Sequence, residues 1–105
     1  MPNWLPPVLN RVANLAHRRR VQFTLKATRE RNALGLGIAE ACGILAGMTV
    51  EDSAGRIVSR VTGEWMYVFK PLVADSPIYV NVVLRRDCIV VSFHEDEGHE
   101  RQEDG

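Results

Sequence analysis

Between Trp65 and His94 the chain exchanges apolar and polar residues with a period of two, which constrains the fold more than any other feature. That period puts alternate side chains on opposite faces of a strand. Three strands are expected there, over 64–70, 78–85 and 88–94, with a fourth before them over 56–60. One face would carry Trp65, Tyr67, Phe69, Ile78, Val80, Val82, Leu84, Ile89, Val91 and Phe93, all apolar or aromatic. The other would carry Glu64, Met66, Val68, Lys70, Tyr79, Asn81, Val83, Arg85, Cys88, Val90, Ser92 and His94. Thr62-Gly63 marks the first turn, and the loop at 71–77 contains Pro71 and Pro77.

Upstream the period is helical. After an irregular start at Trp4 and Pro6-Pro7, Val8, Val12 and Leu15 predict a short helix ending near His17. Arg18-Arg19-Arg20 follows, either as a solvated helix end that complements the C-terminal dipole or as a phosphate-binding group. Thr24 suits the cap of a helix running to Asn32 or Ala33, stopped by Gly35 and Gly37. Ile38, Ala41, Cys42, Leu45 and Ala46 form one apolar stripe, on which Cys42 reads as a small buried hydrophobe. Gly47 ends that helix, and Thr49 with Asp52 resembles a capping box. Helices followed by strands predict an α+β domain: an antiparallel sheet of about four or more strands with helices on one face.

The 105 residues suffice for one domain. No apolar run approaches the roughly 18 residues of a membrane span, no signal peptide is evident, and two cysteines make no disulfide framework. A cytoplasmic protein without membrane partners is expected. The 13 Lys+Arg and 13 Asp+Glu cancel, but unevenly. Residues 95–105 hold Glu95, Asp96, Glu97, Glu100, Glu103 and Asp104 against Arg101 alone. The expected organisation is a basic domain over 1–94 and an acidic, disordered tail over 95–105. A basic body attracts phosphate-bearing partners, and the tail could fold back upon it.

A two-residue loop at Arg86-Asp87 would pair Arg85 with Cys88, Val83 with Val90, Asn81 with Ser92, and Tyr79 with His94. A four-residue loop would set Tyr79 opposite Ser92 and leave His94 diagonal. In both registers Tyr79 and His94 are neighbours on the polar face. A histidine can move a proton at neutral pH, and arginine or lysine can stabilise a phosphoryl transition state. Together these suit metal-free RNA cleavage by the 2′-hydroxyl, with His94 as acid or base, Tyr79 as its partner, and Arg56, Arg60 or Lys70 as clamps. The run His94-Glu95-Asp96-Glu97-Gly98-His99 has one residue too many for a helical zinc motif. Neither a metal nor another cofactor is expected. A solvated sheet face, or a face that docks another subunit, are the competing readings.

Several segments add a resemblance. They are Leu34-Gly35-Leu36 at a helix end, the apolar helix closed by Gly47, Thr49-Val50-Glu51-Asp52, and Trp65 in an aromatic strand that ends before a proline. Ile78-Tyr79-Val80 and Asp87-Cys88-Ile89-Val90-Val91-Ser92-Phe93 complete the set. In order and spacing, Thr24 to Glu95 resembles the motility quorum-sensing regulator (MqsR) family of bacterial type II toxins. The resemblance implies a RelE-like α+β fold, metal-independent mRNA cleavage and a cognate antitoxin. It implies catalytic roles for Tyr79, for His94 where the family usually has lysine, and for Arg56 near the position of an upstream lysine. Met66 stands where the family has glutamine. RNA contacts are expected from Arg60, Met66, Lys70, Asn81 and Ser92. The alternative is a catalytically silent relative that binds RNA or a protein.

Overall fold

The first helix, α1 (Leu5–His17), starts at the prolines rather than after them. Pro6 and Pro7 lie in its first turn, where no backbone N–H is needed for the helix ladder. Its stripe of Leu5, Val8, Val12, Leu15 and Ala16 is buried. Next come β1 (Val21–Phe23), α2 (Leu25–Ala33) and α3 (Ile38–Ala46). Thr24 caps α2 by accepting the Ala27 N–H at 3.1 Å, as its position predicts. A single 3-10 turn at Val50–Asp52 follows, where the Asp52 carboxylate accepts the Thr49 N–H at 2.8 Å. The remaining strands are β2 (Ser53–Val58), β3 (Trp65–Phe69), β4 (Leu72–Val73), β5 (Ser76–Leu84) and β6 (Cys88–Glu95). These elements come from a computed structural model that describes residues 1–97.

The fold is α+β, as the element order predicts, with three helices against a six-stranded sheet. The path across the sheet is β1-β6-β5-β3-β2, with β4 hydrogen-bonded to β5 beside it. The sheet is mixed rather than purely antiparallel, because β1 pairs in parallel with β6, Val21 facing Cys88. At three residues β1 is too short to show a period, so the alternation gives no sign of it. The first predicted strand is displaced: β2 covers 53–58 instead of 56–60. An irregularity between Ser53 and Arg56 accompanies the shift, with Gly55 at φ 99°.

One inversion changes the expected faces. Asn81 faces Ser92, but its neighbour Val82 faces Val90, so Val91 is an extra residue on β6. This β-bulge flips the strand between the turn and the bulge. Cys88 and Val90 therefore enter the core, and Ile89 and Val91 leave the apolar set expected for them. The Arg85–Asp87 connection becomes a three-residue loop, with Leu84 paired to Cys88. The core lies between α1, α3 and one face of the sheet, built on Val12, Leu45, Phe69, Val80, Val82, Val90 and Phe93. Cys42 and Cys88 are both free and buried there. Burial, with smaller contributions from Cys42 and Asp87, pushes the Cys88 thiol up to about 12.

The boundary at residue 94 also moves. Glu95 completes β6, and the Asp96 N–H donates to the Pro77 carbonyl at 3.0 Å. The rest of the acidic tail, residues 98–105, lies outside the described residues, as does His99 of the zinc-like run. Among the described residues no helix is long and apolar enough to cross a membrane.

Candidate functional site

The face of the sheet turned away from α1 and α3 carries the polar set. Beyond the bulge the hairpin takes the register of the two-residue-loop reading, so Tyr79 stands directly opposite His94 and Asn81 opposite Ser92. The Tyr79 and His94 rings stack at 5.1 Å between centroids with 11° between their planes. His94 Nδ1 lies 2.8 Å from the Glu95 carbonyl oxygen. A carbonyl can only accept, so Nδ1 carries the proton in this contact. The neutral ring then presents Nε2 as the available base.

Two lysines flank the stacked pair. Lys26 reaches from α2 over the β6 edge and donates to Ser92 Oγ at 2.9 Å. It also pairs with Glu30 Oε2 at 2.8 Å, one helical turn along. Glu30 in turn accepts the Phe93 backbone N–H at 2.8 Å, where β6 runs past the end of β1. The helix thus closes a strand edge that would otherwise show an unpaired donor. Burial pushes the Glu30 carboxyl upward, but the Lys26 and Phe93 hydrogen bonds and the charges of Lys26 and His94 outweigh it. The carboxyl sits below the usual carboxylate value. On the other flank Lys70 lies 3.5 Å from Asp96 Oδ2.

Asn81, at the centre of this face, is buried with its Oδ1 unpartnered. Its Nδ2 donates to Met66 Sδ at 3.8 Å, so the methionine keeps a weak acceptor at that position. Beyond Asn81 the face becomes apolar, with buried Val68 and Val83 and exposed Ile57. It ends on Arg85, whose guanidinium grips Glu64 through two bonds of 2.7 and 2.9 Å. Those bonds hold the Glu64 carboxyl down to about 2.

The structure brings together Tyr79, His94, Ser92, Asn81, Met66 and Lys70 from the predicted set. It does not bring Arg56 to them. Arg56 pairs with Tyr67 across β2 and β3, and so belongs to the helix-covered face. Its guanidinium stacks 3.8 Å from the Trp65 ring centroid and 4.9 Å from that of Trp4. A catalytic role beside Tyr79 is excluded by that placement. Arg60 is exposed in the β2–β3 turn, at the far end of the sheet from His94. Lys26 and Glu30 were absent from the expected site. Their spacing of four on a helix was visible in the sequence, but it reads as an ordinary solvated pair.

A groove of about 470 Å³ adjoins His94, lined by Glu30, Ala33, Leu34, His94, Glu95 and Glu97. Its three carboxylates repel a phosphate, so an anionic ligand at His94 is directed away from this groove and along the sheet. Comparison with protein-family models finds no match, and comparison with curated proteins finds none. The resemblance to the MqsR family stands on the residues quoted for it.

Proposed function

We propose that the chain is a metal-independent endoribonuclease that cleaves mRNA, acting as the toxin of a toxin–antitoxin pair. The observation that carries the chemistry is the stacked Tyr79–His94 pair on an uncovered sheet face between Lys26 and Lys70. The toxin role and the antitoxin partner rest on the sequence resemblance alone. In this reading His94 Nε2 takes the proton of the 2′-hydroxyl as that oxygen attacks the adjacent phosphorus. The P–O5′ bond breaks, and the leaving 5′-oxygen needs a proton, which the Tyr79 hydroxyl is placed to give. Lys26 or Lys70 offsets the charge on the phosphoryl oxygens. Ser92 and Asn81 supply hydrogen bonds to the nucleotide.

The reading is tested by incubating purified protein with a long single-stranded RNA in EDTA, beside His94→Ala. Cleavage by the wild type alone, leaving 2′,3′-cyclic phosphate ends, is the expected result. A second reading, an RNA binder without cleavage, is favoured by one fact. Both flanking lysines already pair with carboxylates, Lys26 with Glu30 and Lys70 with Asp96. It predicts salt-dependent binding and intact RNA in the same incubation.

A further inference from the structure

The ends of the strands separate charge. At the end where β2 turns into β3, β5 turns into β6 and α1 hands over to β1 stand Arg11, Arg18, Arg19, Arg20, Arg60, Arg85 and Arg86. These are seven of the chain's 13 Lys+Arg. The loops are tied to one another. Arg11 Nη2 donates to the Arg85 carbonyl at 3.0 Å, and Cys88 N–H donates to the Arg20 carbonyl at 3.0 Å. Arg20 and Gln22 both grip Asp87, at 2.9 and 2.8 Å. With Asp87 and Glu64 engaged, Arg18, Arg19, Arg60 and Arg86 have no ion-pair partner among the described residues. A helix dipole accounts for one cation at the end of α1, not for this row.

The backbone adds an independent observation. The α1 terminus closes as a Schellman motif: Arg19 N–H donates to the Ala16 carbonyl and Arg20 N–H to that of Leu15. The residue that must turn left-handed there is Arg19, at φ 58°. Glycine is the residue that fits this position without strain. An arginine held in that conformation, in the middle of an unpaired basic row, points to a role for its side chain.

We propose that the arginine row is a second binding surface for the phosphate backbone of single-stranded RNA, continuous with the Tyr79–His94 face. The proposal deepens the ribonuclease reading and rests on it for the identity of the ligand. Along β5, Tyr79 and Arg85 are separated by about 20 Å, within the span of one short single-stranded segment. Val83, Met66 and Ile57 between them offer bases an apolar floor. The acidic groove beside His94 bars the opposite direction. A lipid surface fits less well, because none of the exposed large apolar residues lies within 11–20 or 84–87 to enter a bilayer.

The test measures binding, on the His94→Ala background so that RNA stays intact. A variant carrying Arg18→Ser, Arg19→Gly and Arg86→Ser is compared with its parent, using RNAs of about 4 and about 12 nucleotides. The parent gains affinity with length. The variant loses at least tenfold on the longer RNA and none on the shorter. Its salt slope falls by about 2, the value for three lost phosphate contacts on a single strand. Equal affinity and slope for both proteins overturn the proposal. So does a loss confined to phosphatidylserine vesicles with RNA binding unchanged. If the triple variant does not fold, Arg86→Glu in the exposed loop gives the same readings. Failure of cleavage by the wild type sinks the nuclease reading and leaves this surface standing; indifference of RNA binding does the reverse.

Discussion

Single side chains carry the chemistry and much of the stability. His94→Ala and Tyr79→Phe are each expected to slow cleavage at least tenfold without changing the circular dichroism spectrum, as loss of a proton-transfer group does. Wild-type rates in both would remove the pair from the mechanism. Phe93 is fully buried at the point where β6 meets α2, so Phe93→Ala should cost about 3–5 kcal/mol in urea unfolding. The buried thiols give a chemical check. With Cys88 pushed up to about 12 and Cys42 equally enclosed, neither should react with a thiol reagent at neutral pH until the protein is unfolded. Prompt reaction of the native protein would contradict the core described for them. Glu64 sets a pH dependence. Its carboxyl is held down to about 2 by Arg85, so the stability it contributes is present above its ordinary value of 4.5. That contribution is lost as pH falls toward 2. Glu64→Gln should therefore differ from wild type in stability near neutrality and converge with it in acid. Glu30, also held low, acts in the same direction.

Elements show where sequence patterns can be read and where they cannot. The helices over 25–33 and 38–46 follow from caps, glycines and one apolar stripe. The Tyr79–His94 pairing was legible because the far half of the hairpin alternates cleanly. The near half was not, because Cys88-Ile89-Val90-Val91 is apolar throughout. A run without polar residues has no phase, so nothing in it marks Val91 as the extra residue. Arg56 was misplaced for a related reason: β2 starts three residues earlier than expected, and its irregularity resets which residues share a face. The α1 terminus yields a prediction at this scale. Arg19→Gly relieves a left-handed arginine and should raise stability by about 1 kcal/mol. The urea midpoint should rise with an unchanged slope. An unchanged or lower midpoint would mean that the arginine makes a contact that offsets its backbone strain.

At the scale of the molecule, the two ends of the sheet differ in charge. Arginines crowd the end formed by the turns at 18–20, 59–64 and 85–87, whereas Asp52, Asp75, Glu95, Asp96 and Glu97 gather at the other. Such a separation orients an approaching polyanion before contact, and the effect is screened by salt. RNA association should accordingly slow steeply between low and physiological ionic strength in stopped-flow measurements. A rate insensitive to salt would show that the arginine end does not steer encounter.

The order of elements, the cap at Thr24, the apolar stripes and the alternating strands were determined by the sequence itself. Each depends on residues within a turn or two of one another, where helical and strand periods act directly. The parallel partner of β6, the bulge at Val91, the retreat of Arg56 between two tryptophans and the arrival of Lys26 beside Ser92 were decided only in the tertiary structure. Each depends on which distant segment fills the space beside a strand, and no local period records that choice. The arginine row is of the same kind: its members lie in three separate turns, and only the sheet sets those turns side by side.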